Sequence, residues 1–232
     1  MTEANREHPL IVTIDGPAAS GKSSTAQMVA ERLGVHHIDS GALYRAVTAS
    51  RLRDGGDPEL WTEHSVLAAA NRVTLAPGQS VFIARIDGIE ADAELRSMAV
   101  TAQVSRVASM THVRAWVNQQ VRHVAAEFPS VADGRDMGNA VFPDAPVKVW
   151  LVALPEVRAL RRILQHNGGN PPSGIELAAE TAELEARDRR DGLQTQPAPD
   201  AIWIDTSDLK QPEQVAQIEA LVRKRLALQG IA

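Results

Sequence analysis

Residues Gly16-Pro17-Ala18-Ala19-Ser20-Gly21-Lys22-Ser23 fill the spacing G-x-x-x-x-G-K-[ST] and stand directly behind the apolar run Leu10-Ile11-Val12-Thr13-Ile14. A loop of this kind constrains the fold strongly. Its glycines let the backbone curl until successive N–H groups point at one anion, and the helix behind it adds a positive N-terminal end. In that setting Lys22 reaches the outer phosphates of a nucleotide and the Ser23 hydroxyl holds Mg2+. The competing interpretation is a glycine-rich turn with an incidental lysine, and the flanking pattern argues against it. Ala26, Val29, Ala30 and Leu33 recur at helical spacing after the loop, and Gly34 follows as a C-cap.

Strand and helix signals then alternate along the chain, predicting a parallel sheet covered on both faces. Val35 to Asp39 reads as a second strand and Gly41 to Leu52 as a second helix, ended by the turn Asp54-Gly55-Gly56-Asp57-Pro58. His36 and His37 are adjacent and point to opposite faces of that strand, which suits packing or solvent contact better than joint metal ligation. Helical material from Pro58 to about Asn71 precedes two short alternating runs, Arg72 to Leu75 and Ser80 to Ile86, predicted to form an antiparallel hairpin about Ala76-Pro77-Gly78-Gln79. This interruption marks an inserted small lobe. Val100 to His123 reads as a long helix broken near Met110 to His112. Val131-Ala132-Asp133 ends a strand, and Val147 to Val152 is a buried one. Helix follows from Pro155 to about Gln165, then a break at Asn167 to Gly174 and a charged helix from Ile175 to Arg190. A last strand, Ala201 to Asp205, leads to a closing helix from Gln211 to Leu228, whose Val215, Ile218, Leu221, Val222 and Leu226 fit core packing.

Composition narrows the function. A net charge of −5 over 232 residues argues against a protein that coats nucleic acid through phosphate neutralisation. The absence of cysteine excludes disulfides and thiolate metal sites, and the seven histidines show no ligand-like spacing. Apolar runs fall far short of the roughly 18 residues of a membrane span, and Met1 to His8 lacks the apolar core of a signal peptide, so a cytoplasmic protein is expected. A monomer is the default expectation, although the sequence does not fix the oligomeric state. Arginines cluster at Arg158, Arg161 and Arg162 and again at Arg187, Arg189 and Arg190. Such clusters are either solvated helix faces or phosphate ligands.

Three further segments decide between kinase, GTPase, motor and transporter subunit. They are Asp39-Ser40-Gly41-Ala42-Leu43-Tyr44-Arg45, Asp133-Gly134-Arg135-Asp136-Met137-Gly138, and Val141-Phe142-Pro143-Asp144-Ala145 leading into Lys148-Val149-Trp150-Leu151. With the loop they resemble the bacterial cytidylate kinases, nucleoside monophosphate kinases acting on CMP and dCMP, from about Ile11 to Val215. The resemblance implies an α/β P-loop kinase core at 1–61 and 106–232, a parallel sheet flanked by helices. It also implies an inserted monophosphate-binding lobe with small antiparallel strands at 62–105 and an arginine-bearing lid near 158–174. It makes Gly16, Pro17, Ala18, Ala19, Ser20, Gly21, Lys22, Ser23 and Ser24 the wall of the ATP site, closed by Arg158 and Arg162. Ser40, Ser105, Arg114 and Asp136 become contacts to the cytosine base, beside Tyr44. Arg45, Arg135 and Arg187 hold the acceptor phosphate and Asp191 the sugar. Lys22, Asp133, Arg135 and Arg162 are then the catalytic groups, with Ser23 and Asp133 in the Mg2+ shell and ATP and CMP or dCMP as substrates.

Elementary chemistry agrees, since phosphoryl transfer needs two repelling anions aligned and their charge neutralised, and arginine's planar fork does both. A turn aspartate remains the alternative for Asp133, and an ordinary exposed loop for Asn167 to Gly174. Two positions differ from the family. Ala19 stands where the family has glycine, and a negative φ there is expected to accommodate it. Gln194 replaces an arginine that helps bind the acceptor nucleoside, and the stretch to Asp200 is short, which implies relaxed base selectivity. A kinase for another pyrimidine monophosphate or small acceptor, and a nucleotide-binding module with little turnover, therefore stay open. A GTPase is disfavoured by the lack of an Asn-Lys-x-Asp segment.

Overall fold

The computed structural model describes residues 9–192 and 195–228. Its centre is a five-stranded sheet, entirely parallel, built from β1 (Ile11–Asp15), β2 (His36–Asp39), β6 (Ser130–Gly134), β7 (Val147–Val152) and β8 (Ile202–Asp205) in the order β2-β6-β1-β7-β8. β1 lies in the middle, with Ile14 opposite Asp133 on one side and Val149 on the other. Side-chain alternation along β1 splits the molecule into two layers. Val12 and Ile14 join Val131, Val149 and Leu151 under α1 (Lys22–Leu33) and α9 (Gln211–Leu228), which contribute Ala26, Val29, Val215 and Ile218. On the other face, Ile38, Ala132 and Met137 pack with α2 (Ser40–Arg53), α3 (Glu63–Ala70), α5 (Met98–Ser109) and α6 (Thr111–Ala125).

Between α3 and α5 runs a small antiparallel sheet, β3 (Val73–Pro77), β4 (Phe82–Ile86) and β5 (Ile89–Glu90), followed by the one-turn α4 (Asp92–Leu95). β4 alternates strictly, burying Phe82, Ala84 and Ile86. The hairpin and the helix break predicted from sequence are present, the break lying at Met110, whose extended backbone ends α5 and opens α6. The hairpin also touches the main sheet: the His37 N–H donates to Ser80 O at 2.9 Å. α7 (Pro155–His166) and α8 (Gly174–Asp191) form an antiparallel pair near the loop, and α8 starts on a capping box in which Ser173 and Glu176 satisfy each other's backbone N–H groups.

Candidate active site

The loop after β1 is held in place by backbone approaches that side chains could not allow. A Cβ on Gly16 would stand 2.3 Å from Leu151 O, so only glycine lets the chain pass β7 there. Gly21, at φ +87°, caps α1 without a side-chain acceptor and leaves the first-turn N–H groups turned to the loop. The expectation for Ala19 is overturned: its φ is +57°, a left-handed conformation that L side chains resist. Lys22 Nζ folds back onto Pro17 O at 3.1 Å, and burial together with the neighbouring Arg135 pushes its pKa down to about 7. Ser20 Oγ is buried in the loop with no hydrogen-bond partner among the described residues. An anion seated here would meet unspent donors.

Asp133, at the C-terminal end of β6, is the node beside the loop. Ser23 Oγ donates to its Oδ2 at 2.7 Å, His37 Nε2 lies 2.6 Å from its Oδ1, and Ser40 Oγ donates to its backbone carbonyl at 2.9 Å. Burial works against its ionisation, but the His37 hydrogen bond and the charges of His37 and Lys22 outweigh it and hold the carboxyl below its ordinary range. The same bond outweighs burial at His37 and raises that ring's pKa. Asp39, the N-cap of α2, is raised by burial and by Asp133. A hydroxyl and an ionised carboxylate are the hard oxygen donors Mg2+ prefers. Among the described residues no three acidic or histidine side chains form a ready-made metal cage. That donor set suits an ion that arrives on a nucleotide and keeps several waters, so the residues present fit it.

Asp15, which ends β1, accepts from the Met137 and Gly138 N–H groups at 2.9 and 2.8 Å, and burial pushes its pKa up to about 7. It thereby caps an irregular π-helical turn at Met137–Val141, which follows Asp136. Arg158 is buried. It donates to Ala153 O and Ala18 O and pairs with Asp188 at 2.7 Å, so its guanidinium is spent on holding the loop to α8.

Facing the loop, α5, α7 and α8 enclose a cleft of about 940 Å3 lined by Arg96, Thr101, Ser105, Arg162, Arg187, Arg190 and Asp191 among others. That volume suits a small molecule of nucleotide size. Arg45 braces its wall from α2, donating to Leu95 O and Thr101 Oγ1, each at 3.1 Å. Arg187 is pushed down to about 10 by burial and by Arg135, and lies 3.6 Å from Asp191. Arg135 spans both halves, with Nη1 donating to Gly16 O at 2.8 Å and Nη2 3.5 Å from Asp191. Arg114 and Asp136 pair with each other, and burial raises Asp136. Burial likewise raises the neighbouring Tyr44 to about 12. Arg162 is tied to Glu180 at 3.1 Å and to Glu183 at 3.8 Å.

The structure thus gathers Ser105, Arg162, Arg187 and Asp191 round one cleft, with Arg45 and Arg135 bonded to its wall at Thr101 and Asp191, and sets Ser23 against Asp133. Ser40 is turned to the Asp133 backbone, and Gln194 lies outside the described residues. Sequence reasoning missed Arg96 and Thr101 on the cleft wall, and Asp15 and His37, which hold the Met137–Gly138 backbone and Asp133. Alternation along β2 gave only the face, since it puts the His37 ring on the side of the sheet opposite the packed His36.

A phosphate loop at the carboxyl edge of a parallel sheet, opposite an arginine-lined cleft, defines a P-loop kinase. The family model described as cytidylate kinase matches residues 12–224. A cytidylate kinase of Thermus thermophilus is 43% identical, over 92% of this chain and 99% of its own. One from Chlorobaculum tepidum is 38% identical over the whole of both chains, and one from Deinococcus radiodurans 42% over 90% of this chain and 97% of its own. The chain belongs to the cytidylate kinase family.

Proposed function

We propose that this protein transfers the γ-phosphoryl group of ATP to CMP or dCMP, giving ADP and the corresponding nucleoside diphosphate. The observation that carries the proposal is Arg135, whose guanidinium contacts the loop at Gly16 and the cleft at Asp191, so that donor and acceptor sites share one cationic wall. An oxygen of the acceptor phosphate forms the new bond to the γ-phosphorus while the bond to the β,γ-bridging oxygen breaks and ADP leaves. Lys22 and the loop N–H groups take up charge on the donor side, and Arg45, Arg135 and Arg187 hold the acceptor phosphate in line. When bound with ATP at Ser23 and Asp133, Mg2+ supplies charge neutralisation at the transferring group. Arg114 and Asp136 present donors and acceptors to a pyrimidine edge, with Ser105 opposite and Asp191 at the sugar. Arg162 is the closing group of a lid formed by 158–174, and Arg158 serves the ATP site by fixing Ala18. In this reading 62–105 is the acceptor lobe of a monomeric cytoplasmic enzyme, since one chain contributes both halves of the site.

The test is ADP production from Mg2+ and ATP with CMP, dCMP, UMP and AMP in parallel, with Lys22→Ala as control. Turnover with CMP or dCMP, abolished in the variant, is expected. ATP binding without ADP release from any of the four acceptors would sink the proposal.

A further inference from the structure

Asp133 has two carboxylate oxygens with different duties. Oδ2 receives the Ser23 hydroxyl, while Oδ1 is taken by His37 Nε2 at 2.6 Å. His37 and Asp133 are both buried, 4% and 1% exposed, so the contact is shielded from water that would otherwise compete for it. The other ring nitrogen, Nδ1, has no partner among the described residues, which leaves Asp133 as the hydrogen-bonding contact of the ring. The backbone at the same residue is engaged elsewhere: its N–H donates to Ser80 O in the hairpin, and His37 bridges to Val81.

We infer that His37 is a positioning residue, which fixes the rotation of the Asp133 carboxylate so that Oδ2 faces Ser23 and does so from a strand fastened to the hairpin of residues 73–86. The inference rests on the assignment of Asp133 to the catalytic site. A carboxylate held at one oxygen cannot swing its other oxygen out of line, and ligand-orienting partners of this kind typically control metal affinity or rate by 10- to 100-fold. His37 touches no substrate.

Three variants separate this role from simple packing. His37→Leu fills the space without a donor, His37→Gln places an amide N–H near the Nε2 position, and His37→Asn carries the same amide on a stem too short to reach. Two readouts are needed. The first is Mn2+ binding to protein loaded with a non-hydrolysable ATP analogue, followed by the electron paramagnetic resonance of free Mn2+. The second is the division of any loss between kcat and the KM for CMP. The Leu and Asn variants are expected to bind Mn2+ about tenfold more weakly and to lose about 10- to 100-fold in kcat, with KM for CMP within about twofold. The Gln variant is expected within about threefold of the parent on both measures. Should Leu fail to fold, the Gln and Asn pair decides alone, both being polar and differing in reach. Equal behaviour of Gln and Asn, or an Asn variant that binds and turns over like the parent, would overturn the inference. A parent protein that binds Mn2+ and nucleotide but does not phosphorylate CMP refutes the proposed function, while the Mn2+ series still reads His37.

Discussion

Ala19 carries the most direct energetic statement at the scale of single residues. Its φ of +57° costs alanine about 1–2 kcal/mol relative to glycine, part of which is returned because glycine is freer in the unfolded chain. Ala19→Gly is therefore expected to stabilise the protein by about 0.5 kcal/mol, a rise of about 1–2 °C in melting temperature by calorimetry. Asp15 gives a pH dependence with a definite sign. Its carboxyl titrates near 7 when folded and near the ordinary carboxylate value when unfolded, so the folded state holds a proton that the unfolded state releases. The Asp15 contribution to stability is thus complete below about pH 4 and is lost as pH rises through about 7. Asp15→Asn, which cannot ionise, should gain stability relative to the parent between pH 5 and pH 8, measured as the difference in urea midpoint at the two pH values. Neither Asp15 nor His37 stood out in the sequence, because an acidic residue ending a strand and one of two adjacent histidines are commonplace until β6 is placed beside them.

Among the elements, legibility followed the strength of periodicity. β7 and α9 have the limits that their apolar pattern predicts, and α1 ends at Leu33, directly before the Gly34 cap read from sequence. The two-residue β5, the one-turn α4 and the π-helical turn at Met137–Val141 left no periodic trace, being too short to show one or, in the last case, created by the contact of Asp15 with its N–H groups. The pairing of α7 with α8 was equally invisible, and it governs a prediction. In the lid role proposed for it, Arg162 would reach the donor by leaving Glu180, so Glu180→Gln is expected to lower the KM for ATP about two- to fivefold, read from initial rates, as loss of a partly exposed ion pair implies. At the end of β6 a Cβ on Gly134 would stand 2.6 Å from Ser40 Oγ and 2.9 Å from Met137 Cγ. Gly134→Ala is accordingly expected to cost about 1–3 kcal/mol in urea unfolding through overpacking.

Over the whole molecule, the alternation of strand and helix foretold a parallel sheet, but not which strand would lie in the middle. No described helix is long and apolar enough to cross a membrane. The sheet order has a consequence for how the protein comes into being. Strand β1 sits between β6 and β7, whose residues follow it by more than a hundred positions in the chain. A growing chain therefore carries an apolar strand with neither neighbour present, and contacts so distant in sequence form slowly. The Leu151 carbonyl, against which Gly16 is fitted, is made only after β6 and most of β7. A chain stopped at Ala145 should consequently fail to retain ATP in equilibrium dialysis, although it contains every residue from Gly16 to Ser24. The nucleotide grip thus waits on β7, and until that strand is made the apolar β1 is exposed surface of the kind that invites aggregation.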